Sequence, residues 1–283
     1  MISGYGPVPE GVSPDPAVAY WEVSADQYYQ EHAGHLGVDR LVWCPEGLDE
    51  SNVHLLGGVE GLRVLEVGCG AAQGTRWAVG AGALAVGVDL SAGMLAVARR
   101  LGTKGLTLVQ ADAAAFPFAD AAFDLAFSAF GALPHVPSLA AVHREVARVL
   151  APGGRWVFSA DHPFAWVFPD SPRPEDLSVR RSYFDRTPYF EMDDAARLSY
   201  VHHHATLSDH FAALIDAGFV VDRVLEPEWP APDSGADDGA GDGEWAAWSR
   251  DRGALTPSTL IIAAHRQERA NCRCPLAPRL LGS

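Results

Sequence analysis

The stretch VLEVGCGAAQGTRW, Val64 to Trp77, decides the fold. An apolar run carries an acid, Glu66, then closely spaced glycines, Gly68 and Gly70, then residues that can start a helix. A strand that turns through glycines into a helix marks the ligand end of an open α/β sheet, because glycine lets backbone approach a bound molecule closely. Laid on Gly68 to Gln73, the template G-x-G-x-x-G fails at its last position, where Gln73 stands. In dinucleotide-binding chains that glycine lets the helix pack close under a pyrophosphate. What remains is a tight turn, with Gln73 read either as the start of the following helix or as an amide that reaches a carboxylate of the bound molecule.

Working outward, LRVLEV, LAVGVDL, LTLVQAD, FDLAFSAF and GRWVFSAD read as five short strands. Helical stretches separate them. SAGMLAVARR opens on Ser91, a good N-cap, and PSLAAVHREVARVL puts Leu139, Val142, Val146 and Val149 on one face before stopping at APGG. TLSDHFAALIDAGF reads as a later helix closed by Gly218, and VVDRVLEP and TPSTLIIAAHR as two more strands. The reading is an α/β fold: a Rossmann-like, seven-stranded, mostly parallel sheet with helices on both faces and the last strand antiparallel. An N-terminal helical cap is expected over 1–60, the core over 61–161 and 206–265, an inserted lid over 162–205, and a disordered tail over 266–283. MISGYGPVPEGVSPDP is expected to be a loose lead-in, PDPAVAYWEVSADQYYQEHAGHL one or two short helices, and APDSGADDGAGDGE a mobile loop.

Composition narrows the partners. The chain has 283 residues and a formal net charge of −15. Nucleic-acid binding draws on lysine and arginine at phosphates, so such a surface favours a small-molecule partner over nucleic acid. SVRRSYFDR is the nearest thing to a local basic patch. No apolar run approaches the roughly 20 residues of a membrane helix. Four cysteines in a chain this long do not make a disulfide scaffold, and a reducing cytoplasm is expected.

Three acids end consecutive strands: Glu66, Asp89 and Asp112. Asp89 falls about 20 residues after the glycines, where a carboxylate can accept from ribose hydroxyls. Asp112 can accept from an exocyclic amine such as that of adenine.

In these motifs and their order the chain resembles the class I S-adenosylmethionine-dependent methyltransferases, in the branch that modifies small molecules. The resemblance runs from about Trp21 to His265 and rests on VLEVGCGAAQG, GVDLSAGML, VQADAAAFPFADAAFDLAFSAFGALPHV, REVARVLAPGGRWVFS and TLSDHFAALIDAGF. It implies roles by position. Glu66, Gly68 and Gly70 would form the turn against the methionine part of S-adenosylmethionine, and Asp89 would hold the ribose. Leu90 and Met94 would line the adenine and ribose pocket, and Asp112 with the Ala113 backbone would read adenine. Ser128 would lie near the methionine amino group, and Tyr20 and Tyr28 would sit on a helix closing over the cofactor. Ala72 stands where many relatives have a third glycine.

Methyl transfer from a sulfonium needs alignment and exclusion of water above all; a base helps only where the nucleophile must lose a proton. His162, His135 and His204 are the candidates for that base. The run YVHHHATL invites a metal reading, but alternation on a strand leaves at most His202 and His204 on one face, without a carboxylate partner, so no metal is expected. Phe164, Trp166, Tyr183 and Tyr200 are expected to line the acceptor site. Arg180 and Arg181 are open to two roles, holding an acidic acceptor or standing in solvent. The expected function is a cytoplasmic methyltransferase acting on a small aromatic or polyketide-like metabolite. Two rivals stand beside it: a protein of the same fold with a cyclising or regulatory role, and a NAD-linked oxidoreductase. Gln73 and Asp112 count against the latter.

Overall fold

The computed structural model describes residues 2–7, 16–171, 173–192, 198–230 and 249–268. The main sheet holds β2 (Arg63–Val67), β3 (Leu84–Asp89), β4 (Thr107–Gln110), β5 (Phe123–Ser128), β6 (Leu150–Asp161), β9 (Phe219–Leu225) and β10 (Thr259–Arg266). Their order is β4-β3-β2-β5-β6-β10-β9. The pairs among β2 to β6 are parallel, and β10 runs antiparallel to both β6 and β9. The strand order reverses between β2 and β5. That switch point opens the crevice in which open α/β sheets take ligands.

Strands buried on both faces feed two cores through their alternating side chains. Leu65, Trp156, Phe158, Leu260 and Ile262 face one side, with Val142 and Val146 of α5 (Leu139–Val149) and Leu214 of α6 (Leu207–Asp216). Val64, Leu125, Phe127, Val157 and Ile261 face the other, with Trp43, Leu56 and Ala78 of α3 (Gln73–Gly80). Local signals set the helix starts. Ser91 accepts from the Met94 amide before α4 (Ala92–Arg100). Thr206 and Asp209 form a reciprocal capping box at α6.

Two expectations are corrected. The segment Pro16–Leu36 is one helix, α1, of 21 residues rather than one or two short ones. The lead-in is not all loose: Ile2–Tyr5 is a strand, β1. It pairs antiparallel with β7 (Tyr189–Met192), which pairs with β8 (Leu198–His202), so the segment expected as a lid carries two strands of a three-stranded sheet, here the lid sheet, whose third strand is β1. Two short helices complete the list, α2 (Glu50–Val53) and α7 (Arg250–Gly253). The expected mobile loop at 231–244 and most of the expected tail lie outside the described residues.

Candidate active site

The glycine turn is held by its surroundings. Gly68 has φ +68°, and a Cβ there would stand 2.7 Å from the Ala132 amide nitrogen. Gly70 has φ +51°, and its amide donates to Asp89 Oδ2 at 2.8 Å. The Ser91 amide donates to Asp89 Oδ1 at 2.9 Å. Ala72, at φ +64°, takes a left-handed position that glycine would occupy without strain, and Gln73 opens α3. Arg76 staples the region by donating to the Ala71 and Ala98 carbonyls.

Glu66 is 5% exposed and takes a short hydrogen bond from the Thr75 hydroxyl. Burial pushes its carboxyl up to about 8. Burial likewise raises Asp89, against the opposing pull of its amide donors. Asp112 stays at the exposed rim, where it accepts from the Ala114 amide at 2.7 Å.

These residues border a cavity of about 290 Å³, lined by Glu66, Gly68, Asp89, Leu90, Met94, Asp112 and Ala113 among others. Gly70 is not among the lining residues; its amide acts through Asp89. Ser128 is fully buried, lines neither cavity, and its hydroxyl has no hydrogen-bond partner among the described residues. Arg40, Leu41, Val42, Cys44 and Pro45 also line it, a wall for which the sequence offered no signal. Trp43 anchors it by donating to Glu50 Oε2, while Glu50 also accepts from the Leu55 and Leu56 amides.

A second cavity, about 690 Å³, lies between α1, the ends of β6 and the lid sheet. Trp21, Tyr28, Phe130 and His135 line both cavities and form the seam between them. Tyr28 is at that seam. Tyr20, expected with Tyr28 on a helix closing over the cofactor, lines the larger cavity and not the one at the glycine turn. Trp166 and Tyr200 also line the larger cavity. Phe164 and Tyr183 do not. Phe164 is 41% exposed and packs on Phe168, and the Tyr183 hydroxyl accepts from the Leu207 amide, fixing the lid to α6.

The three candidate histidines separate by their hydrogen bonds. His162 Nδ1 accepts from the Phe164 amide and Nε2 donates to Glu226 Oε1 at 2.8 Å, so both nitrogens are engaged in closing the turn after β6. His204 Nε2 donates to the Tyr183 carbonyl at 2.8 Å while its ring stacks on Trp166. His135 Nδ1 donates to the Val201 carbonyl at 3.0 Å, which leaves Nε2 as the unprotonated nitrogen. Burial pulls His135 down to about 4. A fourth strand-end acid, Asp161, was missed. It lines the larger cavity with its Oδ2 3.2 Å from His202 Nε2, and burial pushes its carboxyl up to about 7. Its position at the end of GRWVFSAD repeats the pattern of Glu66, Asp89 and Asp112, which was the available signal. Among the described residues no group of three or more histidines, cysteines or acids could hold a metal, and no helix is long and apolar enough to cross a membrane.

Residues 65–158 match the family model described as a methyltransferase domain. A crystallised S-adenosylmethionine-dependent methyltransferase from Mesorhizobium loti is 30% identical. The alignment covers 79% of this chain and 98% of that one, with a TM-score of 0.61. A sterol 24-C-methyltransferase from Gibberella zeae is 36% identical over 139 residues, 47% of this chain and 35% of that protein. A methyltransferase from Streptomyces halstedii is 38% identical over 124 residues, 42% of this chain and 44% of that protein. The chain thus spans less than half the length of these two curated relatives. With its glycine turn, its strand-end acids and the near-complete coverage of the Mesorhizobium loti enzyme, the chain belongs to the S-adenosylmethionine-dependent methyltransferases.

Proposed function

We propose that the chain transfers a methyl group from S-adenosylmethionine to a small acceptor, aromatic or polyketide-like in build. The observation that carries this reading is the seam: one cavity at the glycine turn and one under the lid share Trp21, Tyr28, Phe130 and His135 as a common wall. An in-line displacement needs donor and acceptor in adjoining, water-poor chambers.

The donor set suits the cofactor. Asp89 keeps lone pairs beyond those engaged by Gly70 and Ser91, so it can still accept from ribose hydroxyls. Leu90, Met94 and Ala113 offer an apolar slot for adenine, with Asp112 at its edge to accept from the exocyclic amine. The buried, protonated Glu66 carboxyl and the turn offer hydrogen-bonding polar groups to the amino-acid tail of the cofactor. Bound there, the sulfonium supplies an electrophilic methyl carbon with a neutral thioether as leaving group. Trp21 and Tyr28 exclude water from the seam. Of the three candidate histidines only His135 lines both cavities with an uncommitted Nε2, so it can meet a proton of the acceptor there, though as a weak base because burial holds it down to about 4. His162 and His204 hold the lid in place.

Calorimetry with S-adenosylhomocysteine, S-adenosylmethionine and NAD tests the cofactor. Binding of both sulfur ligands is expected; tight NAD binding without response to them overturns the reading. Metabolite fractions incubated with methyl-labelled cofactor then test transfer. Label is expected in a small-molecule fraction, and its absence across all fractions despite tight binding favours the cyclising or regulatory rival.

A further inference from the structure

We propose that the larger cavity takes an acceptor bearing a protonated amine, received by aromatic ring faces and by the Asp161 carboxylate; the inference rests on the methyl-transfer reading above. Among the described residues four acids line this cavity from three parts of the fold: Glu31 of α1, Asp161 and Asp170 at and after the end of β6, and Glu191 of the lid strand β7. Among the described residues one arginine, Arg252, lines it; that side chain is 4% exposed, its guanidinium donates to the Pro169 and Ser171 carbonyls, and its charge acts on Asp170 rather than Asp161. Among the described residues neither Asp161 nor Asp170 forms an ion pair with lysine or arginine. The basic groups that act on Asp161 are His202, 3.2 Å away, and His135; burial holds both down to about 4 and so leaves them uncharged at neutral pH. A carboxylate withdrawn from water without a cation is costly, and a cationic ligand relieves that cost.

The walls point the same way. Tyr5, Tyr20, Trp21, Tyr189 and Tyr200 present rings to this cavity. Ring faces attract cations, more strongly where water is excluded. The chain itself uses this wall so: the Arg181 guanidinium lies over the Tyr5 ring, and 5.1 Å from the centre of Trp166. Its Nη1 is buried without a hydrogen-bond partner among the described residues, so the rings are what meet it. The sequence had left Arg180 and Arg181 open to holding an acidic acceptor. Neither lines the cavity, and an anion there would face Asp161, Asp170 and Glu191 instead.

The test uses the full chain and three probes of similar shape: 2-phenylethylamine, 2-phenylethanol and phenylacetate. Each is titrated calorimetrically at pH 7.5 into protein saturated with S-adenosylhomocysteine. The amine is expected to bind at least tenfold more tightly than the alcohol, with phenylacetate weakest. Asp161→Asn is expected to weaken the amine at least tenfold and leave the alcohol within twofold. An amine that binds no better than the alcohol, including no binding by any probe, overturns the inference. So does an amine affinity unchanged by Asp161→Asn. Retained S-adenosylhomocysteine affinity shows that the variant is folded. If it is not, Glu191→Gln takes its place, with a threefold loss for the amine alone expected and no loss overturning the inference. Failure of S-adenosylhomocysteine to bind the parent chain sinks the methyl-transfer reading instead. The probes titrated without it still decide the charge preference of the cavity.

Discussion

The Gly70 amide donates to Asp89 Oδ2 at 2.8 Å while the Ser91 amide donates to Oδ1 at 2.9 Å. One carboxylate thereby joins the turn after β2, the end of β3 and the N-terminus of α4. The same group faces the smaller cavity, so it acts on shape and on ligand together. Asp89→Ala is expected to weaken S-adenosylhomocysteine by about 100-fold, the loss of two charge-assisted hydrogen bonds plus a loosened turn. Asp89→Asn, which keeps one acceptor oxygen, should lose about tenfold. Calorimetry reads both; unchanged affinity in the alanine variant would place the cofactor elsewhere.

Gly68→Ala tests the turn itself. The added methyl meets the Ala132 nitrogen at 2.7 Å and the backbone is held at φ +68°. Loss of roughly 2–4 kcal/mol is expected in urea unfolding, since the clash is with backbone that cannot rotate away. Gly58→Ala is the control: nothing lies within 4 Å of its Cβ and its φ is not positive. It should change stability by no more than about 1 kcal/mol. Equal losses at the two positions would remove the strain argument.

Glu66 sets a pH dependence whose sign is unambiguous. Its folded carboxyl is raised to about 8, so between its ordinary range near 4.5 and that value the native state holds a proton that the unfolded chain has released. This contribution to stability is complete below the ordinary range and is lost as pH rises through about 8. Buried His135 and His202, lowered to about 4, act with the opposite slope between about 4 and their ordinary 6.5. Glu66→Gln removes only the first effect. Unfolding measured at pH 5, 6, 7 and 8 should show the variant gaining on the parent steadily with pH; parallel curves would contradict the burial of this carboxyl.

His135 and His162 should behave differently although both follow strand ends. Long-range proton–nitrogen spectra are expected to show His135 neutral with its proton on Nδ1 from pH 8 to pH 5, titrating near 4. A His135 ring that charges near its ordinary value would exclude it from the dry seam. His162→Ala should instead cost about 1–3 kcal/mol of stability, through the lost contacts to Phe164 and Glu226, and leave S-adenosylhomocysteine affinity within twofold. A tenfold loss of affinity with unchanged stability would return His162 to the ligand.

The lid depends on the start of the chain. Main-chain pairing of Ile2–Tyr5 with Tyr189–Met192 makes β1 the edge that closes the lid sheet. Removal of residues 1–7 is expected to raise amide exchange at least tenfold over 189–192 while β2 to β6 keep their protection. Unchanged exchange in the lid would show that β1 contributes nothing to its order.

Much of this was written locally. The strand runs, Ser91 as a cap, the Leu139 to Val149 face and Gly218 at the end of α6 concern residues within a few positions of one another. Helix and strand periods expose them without a fold. The glycine turn and the acids Glu66, Asp89 and Asp112 were legible for the same reason: each ends its own strand, and parallel strands bring their ends to one edge.

What only the tertiary structure decided lies between distant segments. Tyr20 and Tyr28 sit on the same helix, yet one faces the larger cavity alone and the other the seam. Phe164 and Tyr183 carry the same aromatic signal as Trp166 and Tyr200 but do not line the larger cavity. Asp161 meets His202 only because the lid folds back over β6, and β1 pairs with β7 across most of the chain. No period records such meetings, because they follow from how the lid docks rather than from what neighbours each residue. The sequence by itself determined the sheet, the turn and the acids of the smaller cavity. The docking of α1 and the lid on that sheet decided which side chains line the larger cavity, since packing selects among many aromatic and basic residues that are alike in sequence.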